Sequence, residues 1–206
     1  MLIKICCIIL LLLFNSKDCL GEIPYAAQRH RNVLIRVAHE VWGMDAPVAL
    51  FAAQIHTESL WHENAVSPVG AQGLAQFMPE TASWLPTVAP ETGDPLPFNP
   101  AWSLRALVTY DLWLWERVDA IYQCDQMAFM LSAYNGGLGW VQKDKRMAKD
   151  NGLDPNRYWD CVEHINAGRR KSAFQENRKY PKVILHTYQK EYEDAGWGKG
   201  VECDYR

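Results

Sequence analysis

One carboxylate stands where the helical pattern of the sequence predicts a buried side chain. The stretch VALFAAQIHTES predicts a helix whose apolar stripe runs from Phe51 through Ile55, and the next step along that stripe reaches Glu58. A carboxyl group on that face loses hydration, which disfavours its ionised form and raises its pKa. A carboxyl group that keeps its proton near neutral pH is suited to general acid catalysis, so Glu58 is the leading candidate for a catalytic acid.

The segment that follows Glu58 combines tight turns with polar groups. SPVGAQG, from 67 to 73, places a hydroxyl group among residues that allow sharp turns and close backbone approach. We expect the Ser67 hydroxyl to return within hydrogen-bond reach of the carboxyl group or of a ligand amide. Gln76 lies among apolar residues, where its amide is suited to an uncharged polar ligand such as a sugar.

Three polar residues lie at the ends of apolar stripes further along the chain. Tyr134 continues the stripe of the helix predicted for QMAFMLSAYN, Asn135 directly precedes two glycines, and Tyr180 lies on the stripe of the last predicted helix. Taken alone, each is typical of a core tyrosine or of a helix end. Their occurrence together with Glu58 favours a shared site.

Helical periodicity and capping residues predict the elements that position these side chains. A first helix is predicted from His30 to Trp42, and a last long one from about 174 to about 194. Further helix starts are predicted at Asp45, Pro79, Asn99, Asp125 and Asp154. The segment 86–100 is rich in Pro and Gly and predicts a loop. Few stretches alternate with period two, so the sequence predicts one mostly α domain.

The composition excludes several classes of protein. An apolar fraction of 49% and nine tryptophans in 206 residues exclude a disordered chain. A formal net charge of −3 does not favour binding to a polyanion, so we expect no nucleic acid partner. The spacing of the cysteines matches no zinc pattern, and we expect neither a metal nor a cofactor.

The N-terminal residues have the layout of a secretory signal. Residues 1–21 contain a lysine near the start, an apolar run from Ile5 to Phe14 and small or polar residues after it. The run is too short to span a bilayer comfortably, so we expect no stable membrane span after cleavage and a periplasmic or secreted protein. The catalytic domain is expected over 22–195, and residues 196–206 are expected to form a flexible tail.

Three cysteines remain after cleavage of the signal: Cys124, Cys161 and Cys203. An odd number in an oxidising compartment predicts one disulfide and one free thiol. The residues alone leave the three pairings open. We expect Cys124 to pair with Cys161, because Cys203 lies in the segment expected to be mobile.

Four motifs, in order, resemble those of the soluble (SLT-type) lytic transglycosylases. They are ES at 58 and 59, SPVGAQGLAQFMP from 67 to 79, AYNGGLGWV from 133 to 141 and ENRKYPKVIL from 176 to 185. One such motif would be weak evidence, whereas four in order are specific. The resemblance spans about 33–188 and implies the lysozyme-like α fold shared by goose-type lysozyme and lytic transglycosylases.

The resemblance also implies roles for individual residues. Glu58 would be the single catalytic acid and base, Ser59 would support the site and Glu176 would contact sugar. The glycan groove would be lined by Ser67, Gln76, Met78, Tyr134, Asn135 and Tyr180. Three positions depart from the family pattern, with Ala75 for a common Met, Asn177 for a common Thr and Pro181 for a frequent Val. A proline inside a helix predicts a kink that would move Tyr180.

The resemblance implies a reaction on the glycan strands of peptidoglycan. It predicts cleavage of the MurNAc-β-1,4-GlcNAc bond without water, giving 1,6-anhydro-MurNAc ends. A lysozyme-like hydrolase of the same bond and a non-catalytic glycan-binding scaffold remain open alternatives. Analogy at the level of the fold adds proteins of an envelope-spanning apparatus as partners.

Overall fold

Helices account for nearly all of the regular structure between residues 23 and 203, the part of the chain that this computed structural model describes. The helices are α1 (Tyr25–Gln28), α2 (Arg31–Trp42), α3 (Val48–Ser59), α4 (Pro79–Val88), α5 (Pro100–Trp115), α6 (Gln123–Gly136), α7 (Leu138–Asp150), α8 (Lys171–Val183) and α9 (Gln189–Asp194). Short 3-10 turns occur at Pro90–Thr92 and Val162–His164, and a π-helical turn, Ile184–Tyr188, joins α8 to α9. The predicted signal, residues 1–21, lies outside the described residues.

The core is built around α3. Every residue from 48 to 56 is buried, because α2, α9 and the π-helical turn all pack against this helix. A helix that is apolar on all sides is typical of such a central position. Next to it, α5 packs on α2 and α6, and α6 in turn packs on α7 and α8. Glu58 lies in the last turn of α3, where this core ends.

The predicted helix starts are partly confirmed. Asn99 caps α5, since its side-chain oxygen accepts a hydrogen bond from the Trp102 N–H at 3.2 Å. The prediction that Asp45 caps the next helix is wrong, because α3 begins only after Pro47. The prediction at Asp154 is also wrong, because its carboxylate accepts from the Asn156 N–H at 2.8 Å and closes a turn instead.

Two features of the central helices were not expected from the sequence. Asp125 lies inside the first turn of α6 rather than at its cap, and its buried carboxylate accepts hydrogen bonds from the Tyr158 and Trp159 N–H groups at 2.8 and 3.0 Å. The second feature is α7, which starts one residue after α6 ends. Gly137, with φ of 94°, turns the chain within a single residue, so the glycine pair redirects the helix rather than ending helical structure.

The segment predicted to be a flexible tail is packed against the domain over residues 196–203. Trp197 and Val201 are 2% and 5% exposed. The Gln189 side chain donates to the Val201 carbonyl and accepts from its N–H, both at 2.9 Å. The prediction of a mobile tail is therefore wrong for these residues, because burial of Trp197 and Val201 fixes them.

The predicted disulfide is also corrected. Cys124, in α6, is bonded to Cys203, and Cys161 is a partly buried free thiol. The pairing of Cys124 with Cys161 was expected only because Cys203 was assigned to a mobile segment. The packed C-terminal segment instead brings Cys203 to α6.

None of the helices within residues 23–203 combines the length and the apolar character needed to cross a bilayer.

Candidate active site

A groove of about 710 Å³ opens beside the C-terminal end of α3. Its walls come from the end of α3, the loop over 60–78, α5, the end of α6, α8 and the π-helical turn. All but one of the site residues predicted from the sequence line it: Glu58, Ser67, Gln76, Met78, Tyr134, Asn135, Glu176 and Tyr180. Residues that are distant in the sequence thus meet around Glu58.

Glu58 is partly buried and has one close side-chain partner. The Tyr180 hydroxyl donates a hydrogen bond to Glu58 Oε1. Loss of hydration by burial raises the pKa of Glu58 to about 8, and the negative charge of Glu176 adds to the rise, while the hydrogen bond from Tyr180 opposes it. Glu58 therefore holds a proton at neutral pH, as the helical pattern indicated.

Tyr180 reaches Glu58 although Pro181 follows it. Pro181 lies inside α8 and is buried, and the backbone remains helical through the π-helical turn into α9. The kink predicted at this proline does not separate the tyrosine from the carboxyl group. The hydroxyl of Tyr180 is itself buried next to Glu58, which raises the pKa of Tyr180 well above its usual value and keeps it a donor.

Ser59 is the predicted residue that the groove leaves out. It is buried, and its hydroxyl donates back to the Ile55 carbonyl at 3.4 Å within α3. The helix stops directly after it, since Leu60 and Trp61 both have positive φ, of 50° and 65°. Ser59 thus contributes to the end of the helix that carries Glu58.

Ser67 closes the loop that forms one wall of the groove. Its hydroxyl oxygen accepts from the Ala71 N–H at 2.9 Å, and its N–H donates to the Ala71 carbonyl, also at 2.9 Å. The expected hydrogen bond from Ser67 to the carboxyl group is not present. The proton of its hydroxyl remains available to a ligand.

Gln76 holds the same wall from the other side. Its φ is 48°, and its amide nitrogen donates to the Gly73 and Ala65 carbonyls at 2.9 and 3.2 Å. Its amide oxygen has no hydrogen-bond partner between residues 23 and 203. Gln76 therefore offers an acceptor to the groove, as expected for a residue that binds an uncharged polar ligand.

Tyr134 and Asn135 are fixed by contacts that the motifs did not reveal. The Tyr134 hydroxyl donates to the Ala75 carbonyl at 2.7 Å. Asn177, one of the three departures from the family pattern, donates its side-chain N–H to Asn135 Oδ1 at 3.0 Å and to the Ser132 carbonyl at 2.8 Å. Because Asn177 occupies the amide oxygen of Asn135, the amide N–H groups of Asn135 are left for a ligand.

A buried carboxyl group that interacts electrostatically with Glu58 was not identified from the sequence. Asp111 is 0% exposed, and Gln54, one turn before Glu58 on α3, donates to Asp111 Oδ1 at 3.3 Å. Burial raises the pKa of Asp111 well above its usual value, and the charge of Glu58 adds to the rise. The apolar stripe of α5 would have revealed it, because helical steps from Leu104 through Leu107 reach Asp111.

A group of three residues with metal-binding side chains lies outside the groove. Asp160, Glu163 and His164 bring their ligand atoms within 4.8 Å of one another. None of them lines the groove, and exposed acidic groups of this kind commonly bind nothing.

The sequence of this chain is similar to those of known lytic transglycosylases. The model of the Transglycosylase SLT domain matches residues 35–155. The membrane-bound lytic murein transglycosylase F of Mannheimia succiniciproducens is 32% identical over 145 residues, which cover 70% of this chain and 27% of that protein. The protein of the same name from Shewanella pealeana is 31% identical over 128 residues, 62% of this chain and 25% of its own.

Solved structures agree with this fold. The 70 kDa soluble lytic transglycosylase of Escherichia coli matches with a TM-score of 0.59 and 23% identity, over 82% of this chain and 25% of that one. A complex of the 70 kDa soluble lytic transglycosylase with bulgecin A gives a TM-score of 0.58 at 25% identity, with the same coverage of 82% and 25%. The predicted mostly α, lysozyme-like fold is thereby confirmed.

The chain spans about a quarter of the length of these relatives. The match of the family model nevertheless covers more than half of this chain and includes Glu58, the loop after it and the end of α6. The chain therefore belongs to the Transglycosylase SLT domain family.

Proposed function

We propose that this protein is a peptidoglycan lytic transglycosylase that uses Glu58 as its catalytic acid and base. The observation that carries the proposal is the environment of Glu58. It is a partly buried carboxyl group whose pKa is raised to about 8, it accepts a hydrogen bond from Tyr180, and its groove also contains the uncharged polar groups of Ser67, Gln76 and Asn135. The names of the relatives, lytic murein transglycosylases, support the same activity.

The first step is protonation of the glycosidic oxygen between MurNAc and GlcNAc. Glu58 gives its proton to that oxygen as the bond to C1 of MurNAc breaks. The positive charge that develops at C1 is stabilised by the acetamido carbonyl of the same sugar. Ser67, Gln76 and Asn135 offer the hydrogen-bonding groups that would hold the sugar in position.

The second step returns the proton to Glu58. The carboxylate takes the proton from the C6 hydroxyl of MurNAc, and O6 bonds to C1 to give the 1,6-anhydro ring. No water is consumed, and one carboxyl group serves both steps. Tyr180 stabilises the ionised form of Glu58 between them, because its hydrogen bond favours that form.

The nearest alternative is hydrolysis of the same bond, which ordinarily needs a second carboxylate. Asp111 is unsuited to that role because it is fully buried and has no access to water in the groove. Glu176 lines the groove and is exposed, so it is the residue that hydrolysis would require. Its variant therefore separates the two reactions.

The proposal extends to where the protein works. The signal predicted over residues 1–21 would deliver the domain to the periplasm or outside the cell, where its substrate lies. Local opening of the wall for an envelope-spanning apparatus is the process we propose, by analogy at the level of the fold.

The test is mass spectrometry of purified peptidoglycan digested by the mature protein and its variants. We expect anhydro-muropeptides from the wild type and a loss of roughly 10²–10⁴-fold in rate with Glu58→Gln, which removes the acid. Glu176→Gln should retain the anhydro product, and Glu80→Gln, an exposed position in the first turn of α4, should match the wild type.

Two results would contradict the proposal. Reducing-end products that disappear with Glu176→Gln would identify a hydrolase with two carboxylates. Absence of any product, with glycan strands still bound, would identify a binding scaffold.

A further inference from the structure

His56 is a groove residue that none of the sequence motifs includes. It lies two residues before Glu58 on α3 and lines the groove, although it is only 4% exposed. Its ring stacks on Tyr188, another groove residue, with the ring centroids 4.2 Å apart and the planes at 21°. The stacking fixes the plane of the imidazole.

A buried hydrogen-bond chain determines which nitrogen of His56 carries the proton. Trp61 can only donate, and its Nε1 donates to the Tyr192 hydroxyl oxygen at 2.6 Å. Tyr192 is 0% exposed, so its own proton needs a protein acceptor, and His56 Nδ1 lies 3.0 Å away. Nδ1 therefore accepts, and the proton of the neutral ring is on Nε2.

The imidazole is held neutral by its surroundings. Burial lowers the pKa of His56 below its usual value. A charged ring would also carry a proton on Nδ1, which would displace the proton that Tyr192 donates to it. Packing and hydrogen bonding thus favour the same form, with Nε2–H as the donor.

The Nε2 atom of His56 is the ring nitrogen that can still bind a ligand. It has no hydrogen-bond partner between residues 23 and 203, and it is not among the buried polar atoms without partners in that part of the chain. Since the opposite nitrogen is committed to Tyr192 and the ring lines the groove, the free N–H is accessible from the groove.

From this geometry we infer that His56 is a substrate-binding residue whose Nε2–H donates a hydrogen bond to an uncharged oxygen of the glycan, a hydroxyl or an acetamido carbonyl. The inference deepens the proposed function and rests on it for the identity of the ligand. The Nε2–H would add a third donor to those of Ser67 and Asn135, opposite the acceptor that Gln76 offers, so that the groove could bind both donors and acceptors on a sugar.

The test measures binding without turnover, in the full mature protein carrying Glu58→Gln. The probe is stem-free glycan strands, prepared by amidase treatment of peptidoglycan, and the readout is the Kd by calorimetry. His56→Phe keeps a ring to stack on Tyr188 but loses the N–H, and we expect its Kd to rise about five- to tenfold, the effect of one lost hydrogen bond. His56→Gln restores an N–H donor and should recover part of the affinity.

Two controls separate binding from a structural role. Tyr192→Phe breaks the same buried hydrogen bond as His56→Phe and releases the tautomer, but the neutral ring can still place its proton on Nε2 when a ligand accepts it, so the effect should be smaller than threefold. His186→Phe removes a histidine that packs on Trp159 and does not line the groove, and it should bind like the parent. Thermal melts of each variant report whether it is folded.

The inference is overturned if His56→Phe binds like the parent, if Tyr192→Phe weakens binding as much as His56→Phe, or if the parent does not bind the strands. Digestion by the protein with Glu58 intact is measured in parallel. Strands that bind through His56 but yield no anhydro ends would overturn the proposed reaction and leave this inference standing.

Discussion

Burial sets the pH range in which Glu58 can act as an acid, and the hydrogen bond from Tyr180 adjusts it. The protonated form of Glu58 is present below its pKa of about 8, so activity should decline as the pH rises through that value. Because the hydrogen bond from Tyr180 favours the ionised form, its removal raises the pKa of Glu58 further. We therefore expect Tyr180→Phe to lower kcat and to shift the alkaline limb of the kcat/KM profile to higher pH.

The profile is measured between pH 5 and pH 10 by release of muropeptides. An alkaline limb that stays in place or moves to lower pH in Tyr180→Phe would show that the hydroxyl does not stabilise the carboxylate.

Asp111 makes stability depend on pH in the opposite sense to a salt-bridged carboxylate. Its pKa is raised in the folded protein, so the folded state binds the proton over a range where the unfolded chain has lost it. The free energy of unfolding therefore falls as the pH rises from about 4, the ordinary pKa of Asp, towards the raised value. Asp111→Asn removes this dependence and should stabilise the protein at neutral pH, by roughly 1 kcal/mol for each pKa unit removed.

Urea unfolding at pH 4 and pH 7 provides the measurement. The variant and the wild type should be close at the lower pH and differ at the higher one. Equal stability at both values would mean that Asp111 ionises normally in the folded protein.

At the scale of elements, the conformation of the loop over 60–78 depends more on Gly73 than on Gly70. Gly73 has φ of +74°, and a Cβ there would lie 1.8 Å from the Pro97 carbonyl oxygen. Gly70 also has positive φ, of +91°, but a Cβ there would meet nothing within 4 Å. We expect Gly70→Ala to cost about 1 kcal/mol from backbone strain, and Gly73→Ala to cost roughly 1–3 kcal/mol more because the chain must also shift.

The difference between the free energies of unfolding of the two variants, measured with denaturant, gives the energetic effect of the close approach between the loop and Pro97. If both variants lost the same stability, the contact at Gly73 would have no energetic weight. The wall that holds Gln76 should loosen only in Gly73→Ala, which would also raise KM.

The sequence predicts those elements whose signals are local. The stripe through Phe51, Ile55 and Glu58 and the cap at Asn99 are each encoded within a few residues, and the structure has them as expected. The errors arise where one residue type suits two local structures and where contacts join residues that are far apart in the sequence. Asp45 and Asp154 carry the residue types of caps, but their backbones are used in turns, and the pairing of Cys124 with Cys203 depends on how residues 196–203 pack.

The same distinction applies within the site. Motifs identified the groove residues because each motif supplies one wall. His56 was missed because its significance comes from Tyr192, a partner far away in the sequence. The apolar stripe of α5 predicts that Asp111 is buried, but it does not predict the contact with Gln54 on another helix.

For the whole molecule, the disulfide joins the C-terminal segment to the start of α6. Cys124 and Cys203 are 79 residues apart, and crosslinking such a loop restricts the unfolded chain. We expect Cys203→Ser to lower the free energy of unfolding by roughly 2–4 kcal/mol. Cys161→Ser, which removes the free thiol, is the matched control and should change it little.

The free energy of unfolding of each protein is measured with guanidinium, with and without a reducing agent. Reductant should destabilise the wild type and Cys161→Ser but not Cys203→Ser. A wild type that is insensitive to reductant would contradict the pairing.

The π-helical turn at Ile184–Tyr188 determines the angular register of everything after it. An α-helix turns about 100° per residue, so eight residues of it would leave Tyr188 about 80° away from the direction of Tyr180. A π-helix, with its i→i+5 hydrogen bonds, turns roughly 80° per residue, and five such residues bring the difference down to about 20°. The turn therefore accommodates one surplus residue, and it lets Tyr180 beside Glu58 and Tyr188 beside His56 face the same groove from a single continuous helix.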